Sequence, residues 1–192
     1  MLSNEGHPEH LIKKFRNFSS YVDHCPKFFI KEFVPMETEE TIKTLYKIRS
    51  EVKGGVRKSN YKGYQTIDNL SSHKEFNYFI GVLTSFFETN FQTKIEILNM
   101  WGNINDTGSF NVTHLHNYPG DEFAYFSGVY YLQFEEDMGD LFFSDFITMT
   151  HLHVNNIKPC DLVLFPNYMP HYVGPNLSSK DRISIAFNVK IF

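Results

Sequence analysis

Three histidines and one arginine are spaced for metal chemistry. His114-Leu115-His116 sets two imidazoles two residues apart, His171 follows far along the chain, and Arg182 stands one strand further on. In an extended strand alternate side chains share a face, so His114 and His116 project together while Leu115 turns away. A third imidazole from a neighbouring strand would complete a three-ligand face and leave the other side of an ion open. Open positions mark a reactive centre rather than a closed structural one, and non-haem iron centres use such a facial arrangement. The usual facial set has two histidines and one carboxylate; here His116 stands where the carboxylate would be, with Asp121 the nearest substitute. In a chain with nine histidines a His-x-His pair can also arise by chance. Arg182 is what tips the balance towards a metal.

The stretch from Arg182 to Phe192 alternates. Ile183, Ile185, Phe187, Val189 and Ile191 form an apolar face that reads as core. Arg182, Ser184, Ala186, Asn188 and Lys190 form the other, polar or small for most of its length, as a cavity wall would be. An arginine on such a wall can hold a carboxylate through a bidentate, charge-assisted pair, and Ser184 can add a hydrogen bond. The bland alternative is an exposed charge on a half-solvated strand. A dicarboxylate held at its far end by Arg182 would present a keto-acid end to the metal, which gives both motifs one purpose.

Other polar residues are weighed against this set. Asn103, Asn111, Tyr130, Tyr131 and Asn188 are candidates for hydrogen bonds to a co-substrate or to the imidazoles, and Asn188 is favoured because it shares the Arg182 face. A rival pair, His151-Leu152-His153, lies too near His171 for the strands a barrel needs between them. It is read as strand residues near the substrate entrance.

The elements that must position these residues read as α+β. Phe28 to Val34 is an expected strand ended by Pro35. A helix is predicted from Thr38 to about Lys53, stopped by Gly54-Gly55. A second helix is predicted to begin at Ser72, with Glu75 completing a capping box, and to pack Phe76, Phe79, Ile80, Leu83 and Phe86 or Phe87 against a sheet. From Lys94 onward short strands dominate, separated by turn residues such as Asn105-Asp106-Thr107-Gly108, Met138-Gly139-Asp140 and Lys158-Pro159. About eight strands after two helices suit a distorted double-stranded β-helix, the jelly-roll or cupin-like barrel, with N-terminal helices packed on the sheet. One domain over 1–192 is expected, with 1–92 as strand and helical flank and 93–192 as the β-helix core. Residues 1–25 read as loosely structured.

Composition sets the outer limits. At 192 residues, 42% hydrophobic and 17% aromatic, the chain can build one substantial core. A net charge of −4, from 18 basic and 22 acidic residues, gives no overall footprint for gripping nucleic acid. The basic stretch around Lys53, Arg57, Lys58 and Lys62 is read as a solvated face. Two cysteines, Cys25 and Cys160, make no disulfide framework, so a cytoplasmic setting is expected, that of a host if the chain is viral. No apolar run reaches membrane-spanning length, and Met1 to Arg16 reads as neither signal nor anchor.

Several stretches together resemble a family of 2-oxoglutarate- and Fe(II)-dependent oxygenases, often met in marine bacteria and their viruses, within the prolyl-hydroxylase-like superfamily. They are Ser59-Asn60-Tyr61-Lys62-Gly63-Tyr64-Gln65-Thr66, Trp101-Gly102-Asn103, Asn111-Val112-Thr113-His114-Leu115-His116, Ser127-Gly128-Val129-Tyr130-Tyr131-Leu132, Leu164-Phe165-Pro166, His171-Tyr172-Val173-Gly174-Pro175-Asn176 and Arg182-Ile183-Ser184-Ile185-Ala186-Phe187-Asn188. The resemblance implies Fe(II) held by His114, His116 and His171, and 2-oxoglutarate anchored at its C5 carboxylate by Arg182. Ser184, Asn188, Asn103 and Tyr130 are then the further residues expected to contact the co-substrate. The family also carries His-x-His, so His116 departs only from the wider superfamily pattern. The implied partners are 2-oxoglutarate, O2 and an unidentified small molecule or protein side chain, with nucleic acid disfavoured by charge. Two alternatives stand beside it: a three-histidine cupin-like metal enzyme that does not use 2-oxoglutarate, and a catalytically silent jelly-roll binding module.

Overall fold

The structure is a computed structural model that describes residues 29–116, 125–145 and 150–192. The expectations for residues 1–25 and for Phe28 fall outside these residues. The chain runs β1 (Ile30–Phe33), α1 (Glu39–Glu51), β2 (Asn60–Tyr61), β3 (Tyr64–Gln65), α2 (Asn77–Phe91), β4 (Ile95–Asn105), β5 (Phe110–His114), β6 (Tyr125–Gln133), β7 (Leu141–Asp145), β8 (Thr150–His153), β9 (Asp161–Pro166), β10 (His171–Val173) and β11 (Arg182–Ile191). Two sheets form, one ordered β1-β9-β6-β11-β4-β3 and the other β2-β5-β10-β7-β8. Every pairing between neighbouring strands is antiparallel. The eight strands from β4 to β11 distribute over both sheets, which is the double-stranded β-helix the sequence pattern implies.

The alternation of β11 organises the core. This strand lies between β4 and β6, so both of its edges are hydrogen-bonded. Its odd-numbered residues, Ile183 to Ile191, face the helical layer, where Phe79, Leu83 and Phe87 of α2 are buried with Leu45 of α1. The Phe79 ring meets Tyr130 edge-on at 5.3 Å and leans on Phe187 at 6.3 Å. Burial of each such side chain contributes about 1.5–3 kcal/mol, so this layer anchors the strand from behind. A second apolar cluster, including Tyr131, Phe143, Val163 and Phe165, packs on the opposite side of β6 and β9.

Helix α1 forms within the predicted range, with Glu39 and Glu40 in its first turn complementing the helix dipole. The second helix starts later than expected. Ser72 ends a 3₁₀ turn and its hydroxyl donates back to the Asn69 carbonyl at 2.8 Å, while His73 is extended. The capping box with Glu75 therefore does not form, and α2 begins only at Asn77. A local serine-to-carbonyl hydrogen bond outcompetes the helical one here.

Gly128 marks how closely the strands are packed. It pairs with Leu164 on one side and Phe187 on the other, and an added Cβ would run into the Phe187 ring and the Leu164 side chain. Replacing Gly128 with alanine should cost about 1–3 kcal/mol through overpacking. Denaturant unfolding checks this, and a variant as stable as the parent would show that the Phe187 layer is not rigid.

Candidate metal centre and its cavity

Strands β5 and β10 pair so that His171 lies directly opposite His114. They are the second and seventh of the eight barrel strands, as the chain order suggests. His116 follows the end of β5, held by its backbone N–H donating to the Asn167 carbonyl at 2.9 Å. Ring centroids lie 4.2 Å apart for His114 and His171, 5.2 Å for His114 and His116, and 5.1 Å for His116 and His171. One ring nitrogen from each lies within 4.8 Å of the other two, close enough for one ion to engage all three.

The hydrogen bonds behind the rings decide which nitrogen faces inward. His114 Nδ1 donates to the Val112 carbonyl and His171 Nδ1 to the Met169 carbonyl, each at 2.8 Å and each two residues back along the chain. A carbonyl only accepts, so Nδ1 carries the proton and Nε2 keeps its lone pair. His116 Nδ1 lies 2.8 Å from Asn188 Oδ1 and 2.9 Å from Ser127 Oγ. The Asn188 amide is oriented by its Nδ2 donating to Asn99 Oδ1 at 2.7 Å, and Ser127 Oγ donates to Asn188 Oδ1 at 2.6 Å. His116 is thus fixed as the same tautomer, through side chains rather than backbone. Such partners behind a ligand set ring orientation and basicity.

Burial lowers the pKa of all three imidazoles. His171, 4% exposed, falls well below its ordinary value, with repulsion from His114 and His116 adding to burial. Burial, helped by His114, pushes His116 down to about 4, and His114 is lowered by burial as well. All three are neutral at pH 7, the state in which imidazole binds a metal. Among the described residues no carboxylate joins the cluster. Asp121, the carboxylate substitute considered above, lies outside the described residues.

The trio opens into a cavity of about 480 Å³, within the range of small-molecule sites. The even face of β11 lines it with Arg182, Ser184, Ala186 and Asn188, as the alternation predicts. Asn103 lies across from Ser184 on β4 and lines the same wall. Arg182 is 3% exposed, and its Nη1 donates to the Gly139 carbonyl at 2.8 Å. Its Nε is buried without a partner, and no described carboxylate lies within ion-pair distance of the guanidinium. Burial lowers its pKa, but a guanidinium stays protonated in proteins. A buried cation with an orphan donor beside a cavity fits an incoming carboxylate.

One expected contact residue is placed elsewhere. Tyr130 points to the helical side of β6, where its hydroxyl donates to the Val34 carbonyl at 2.7 Å and its ring packs on Phe79. Its neighbour Tyr131 lines the cavity instead, because adjacent strand residues face opposite ways. Gln65, 3% exposed on β3, and Trp101, whose ring meets His116 edge-on at 5.5 Å, also line it. Both fall inside motifs quoted above, but nothing in their spacing marks them as cavity residues. His151 and His153 sit on β8 at a sheet edge, both exposed. His153 Nε2 pairs with Asp140 at 2.6 Å, and neither histidine joins the cluster.

Residues 147–188 match the family model described as "Putative 2OG-Fe(II) oxygenase". No curated protein matches the chain in sequence. Among solved structures, a Pseudomonas putida prolyl-4-hydroxylase is 14% identical with a TM-score of 0.60, over 85% of this chain and 92% of that one. A viral collagen prolyl hydroxylase from Paramecium bursaria Chlorella virus-1, solved with 2-oxoglutarate, is 15% identical with a TM-score of 0.59, over 85% of this chain and 97% of that one. The epimerase SnoN from nogalamycin biosynthesis, solved with Fe3+, α-ketoglutarate and nogalamycin RO, is 11% identical with a TM-score of 0.69, over 95% and 83%. The fold is the one these oxygenases share.

Asn188→Ala removes the only side-chain amide on His116 Nδ1 among the described residues and should weaken Fe(II) binding roughly 10- to 100-fold with the fold intact. An anaerobic Fe(II) titration beside a circular dichroism spectrum checks it; parental affinity would mean that Ser127 alone holds the ring. By contrast, a double His151→Ala, His153→Ala variant should still bind one iron. Loss of the metal there would move the centre to β8.

Proposed function

We propose that the protein is an oxygenase that depends on Fe(II) and 2-oxoglutarate, of the hydroxylase type, acting on a substrate not yet identified. His114, His116 and His171 hold the iron, and Arg182 takes the C5 carboxylate of 2-oxoglutarate. The observation that carries this reading is one cavity with three inward lone pairs and a buried guanidinium whose Nε has no hydrogen-bond partner among the described residues. The same lining residues suit both groups: imidazole nitrogens suit iron, and a planar guanidinium suits a carboxylate. When bound, ferrous iron with the keto acid supplies oxidation of a substrate C–H bond by O2, with succinate and CO2 as co-products.

The chain's own residues do the rest. Val112, Met169 and Asn188 keep three Nε2 lone pairs turned inward. Arg182 fixes one end of the co-substrate, and Ser184 and Asn103, cross-strand neighbours on the same wall, offer it hydrogen bonds. Tyr131 and Phe165 are buried apolar walls that keep water from the centre. A three-histidine enzyme without 2-oxoglutarate would leave the Arg182 Nε buried beside the cavity with no ligand to bind. A silent binding module would have no use for three neutral imidazoles converging beside it.

An anaerobic titration with Fe(II) and 2-oxoglutarate, followed by a succinate assay in air, tests the reading. Arg182→Ala should weaken 2-oxoglutarate roughly 10- to 150-fold, the worth of a charge-assisted contact, while iron still binds. His171→Ala should lose stoichiometric iron and stay folded. Full iron occupancy in His171→Ala would remove the ligand assignment, and unchanged co-substrate affinity in Arg182→Ala would remove 2-oxoglutarate.

A further inference from the structure

The basic stretch that composition alone reads as a solvated face is folded around a second cleft. Positions 47–62 carry six basic residues and one acidic residue, in a chain whose net charge is −4. The structure gathers Arg49, Lys53, Arg57 and Lys62 around a cleft of about 480 Å³ whose lining contains no acidic side chain. Arg49 is already neutralised, 2.7 Å from Asp106 and 3.8 Å from Asp181. Lys53, Arg57 and Lys62 have no carboxylate partner among the described residues.

Two further observations separate this cleft from an ordinary charged surface. Tyr64, 6% exposed, lines it, and its hydroxyl is buried without a hydrogen-bond partner among the described residues. Lys62 is held at φ 61, where the Gly63 N–H donates to the Tyr61 carbonyl at 2.8 Å and Asn60 Nδ2 donates to the Gly63 carbonyl at 2.8 Å. A non-glycine residue held there is strained, and the turn keeps the Lys62 ammonium 5.6 Å from the Tyr61 ring. The segment that lines the cleft also contributes residues to the cavity of the candidate metal centre. Lys58 and Ser59 line the metal cavity, and Arg57 and Asn60 to Gly63 line the cleft.

We propose that this cleft binds a phosphate group, carried by a phosphate monoester or a diphosphate. Three cations without a carboxylate partner among the described residues, and a phenol donor, match the charge and acceptor oxygens of a phosphate monoester or diphosphate. The size of the cleft is that of a small-ligand site. The acidic balance of the whole chain gives no extended track for a polyanion.

The test uses metal-free protein and inorganic pyrophosphate, followed by thermal unfolding at constant ionic strength against chloride. The parent should show a saturable rise in Tm that persists with saturating 2-oxoglutarate. Arg57→Gln combined with Lys62→Gln should weaken that response at least roughly tenfold, one charge-assisted contact's worth, and keep iron-dependent succinate formation. Tyr64→Phe should weaken it too, without lowering the Tm of the free protein. No saturable response beyond chloride, an equal response in the double variant, or a response abolished by 2-oxoglutarate would each overturn the cleft. Because the readout needs no iron, a parent that forms no succinate but still binds pyrophosphate would strike the oxygenase reading and leave the phosphate site standing.

Discussion

Arg182 is buried beside a cavity with a single backbone carbonyl as its hydrogen-bond partner and no carboxylate within ion-pair distance among the described residues. A buried charge without a counterion costs several kcal/mol, so the surrounding fold must hold it in place by other means. It does so through β11. That strand is hydrogen-bonded along both edges and pinned from behind by its odd-numbered residues against the aromatic face of α2. The same alternation that anchors the strand delivers Arg182, Ser184 and Asn188 to the cavity. Stability and site are therefore two faces of one element.

The second constraint is neutrality at the other end of the cavity. Three imidazoles, kept uncharged by burial and turned inward by Nδ1 hydrogen bonds, offer lone pairs and no negative charge. His116 differs from the other two in how it is held. Backbone carbonyls two residues back orient His114 and His171, whereas Asn188 and Ser127 orient His116. Asn188 therefore joins the Arg182 strand directly to the candidate metal centre.

Much of this was legible in the residues. The period-2 pattern after Arg182 is unambiguous, so the core and cavity faces of β11 could be assigned without coordinates. The pairing of His114 with His171 follows from strand order along the barrel. Tyr130 shows the limit: two consecutive tyrosines occupy opposite faces, and sequence does not say which faces inward. Ser72 shows another, because a capping-box pattern carries no information about the competing bond to Asn69. Gln65 and Trp101 reach the cavity only through long-range pairing of β3 with β4 and β4 with β11, which a local pattern cannot reveal.

The account rests on charge. Three neutral ligands leave an iron its full +2, Arg182 adds another positive charge, and among the described residues no carboxylate joins the imidazoles or lies within ion-pair distance of the guanidinium, Asp140 acting on it only from further off. Dianionic 2-oxoglutarate would balance Arg182 with one carboxylate and offset half of the iron's charge with the other, so the ion and the co-substrate should favour each other's binding. The most direct measurement is the anaerobic Fe(II) dissociation constant of the parent protein with and without saturating 2-oxoglutarate. The account predicts tighter iron binding with 2-oxoglutarate, by roughly 5- to 150-fold for a coupling of this kind. Identical affinities would mean that some other carboxylate already balances the metal, and would contradict a three-imidazole centre completed by its co-substrate.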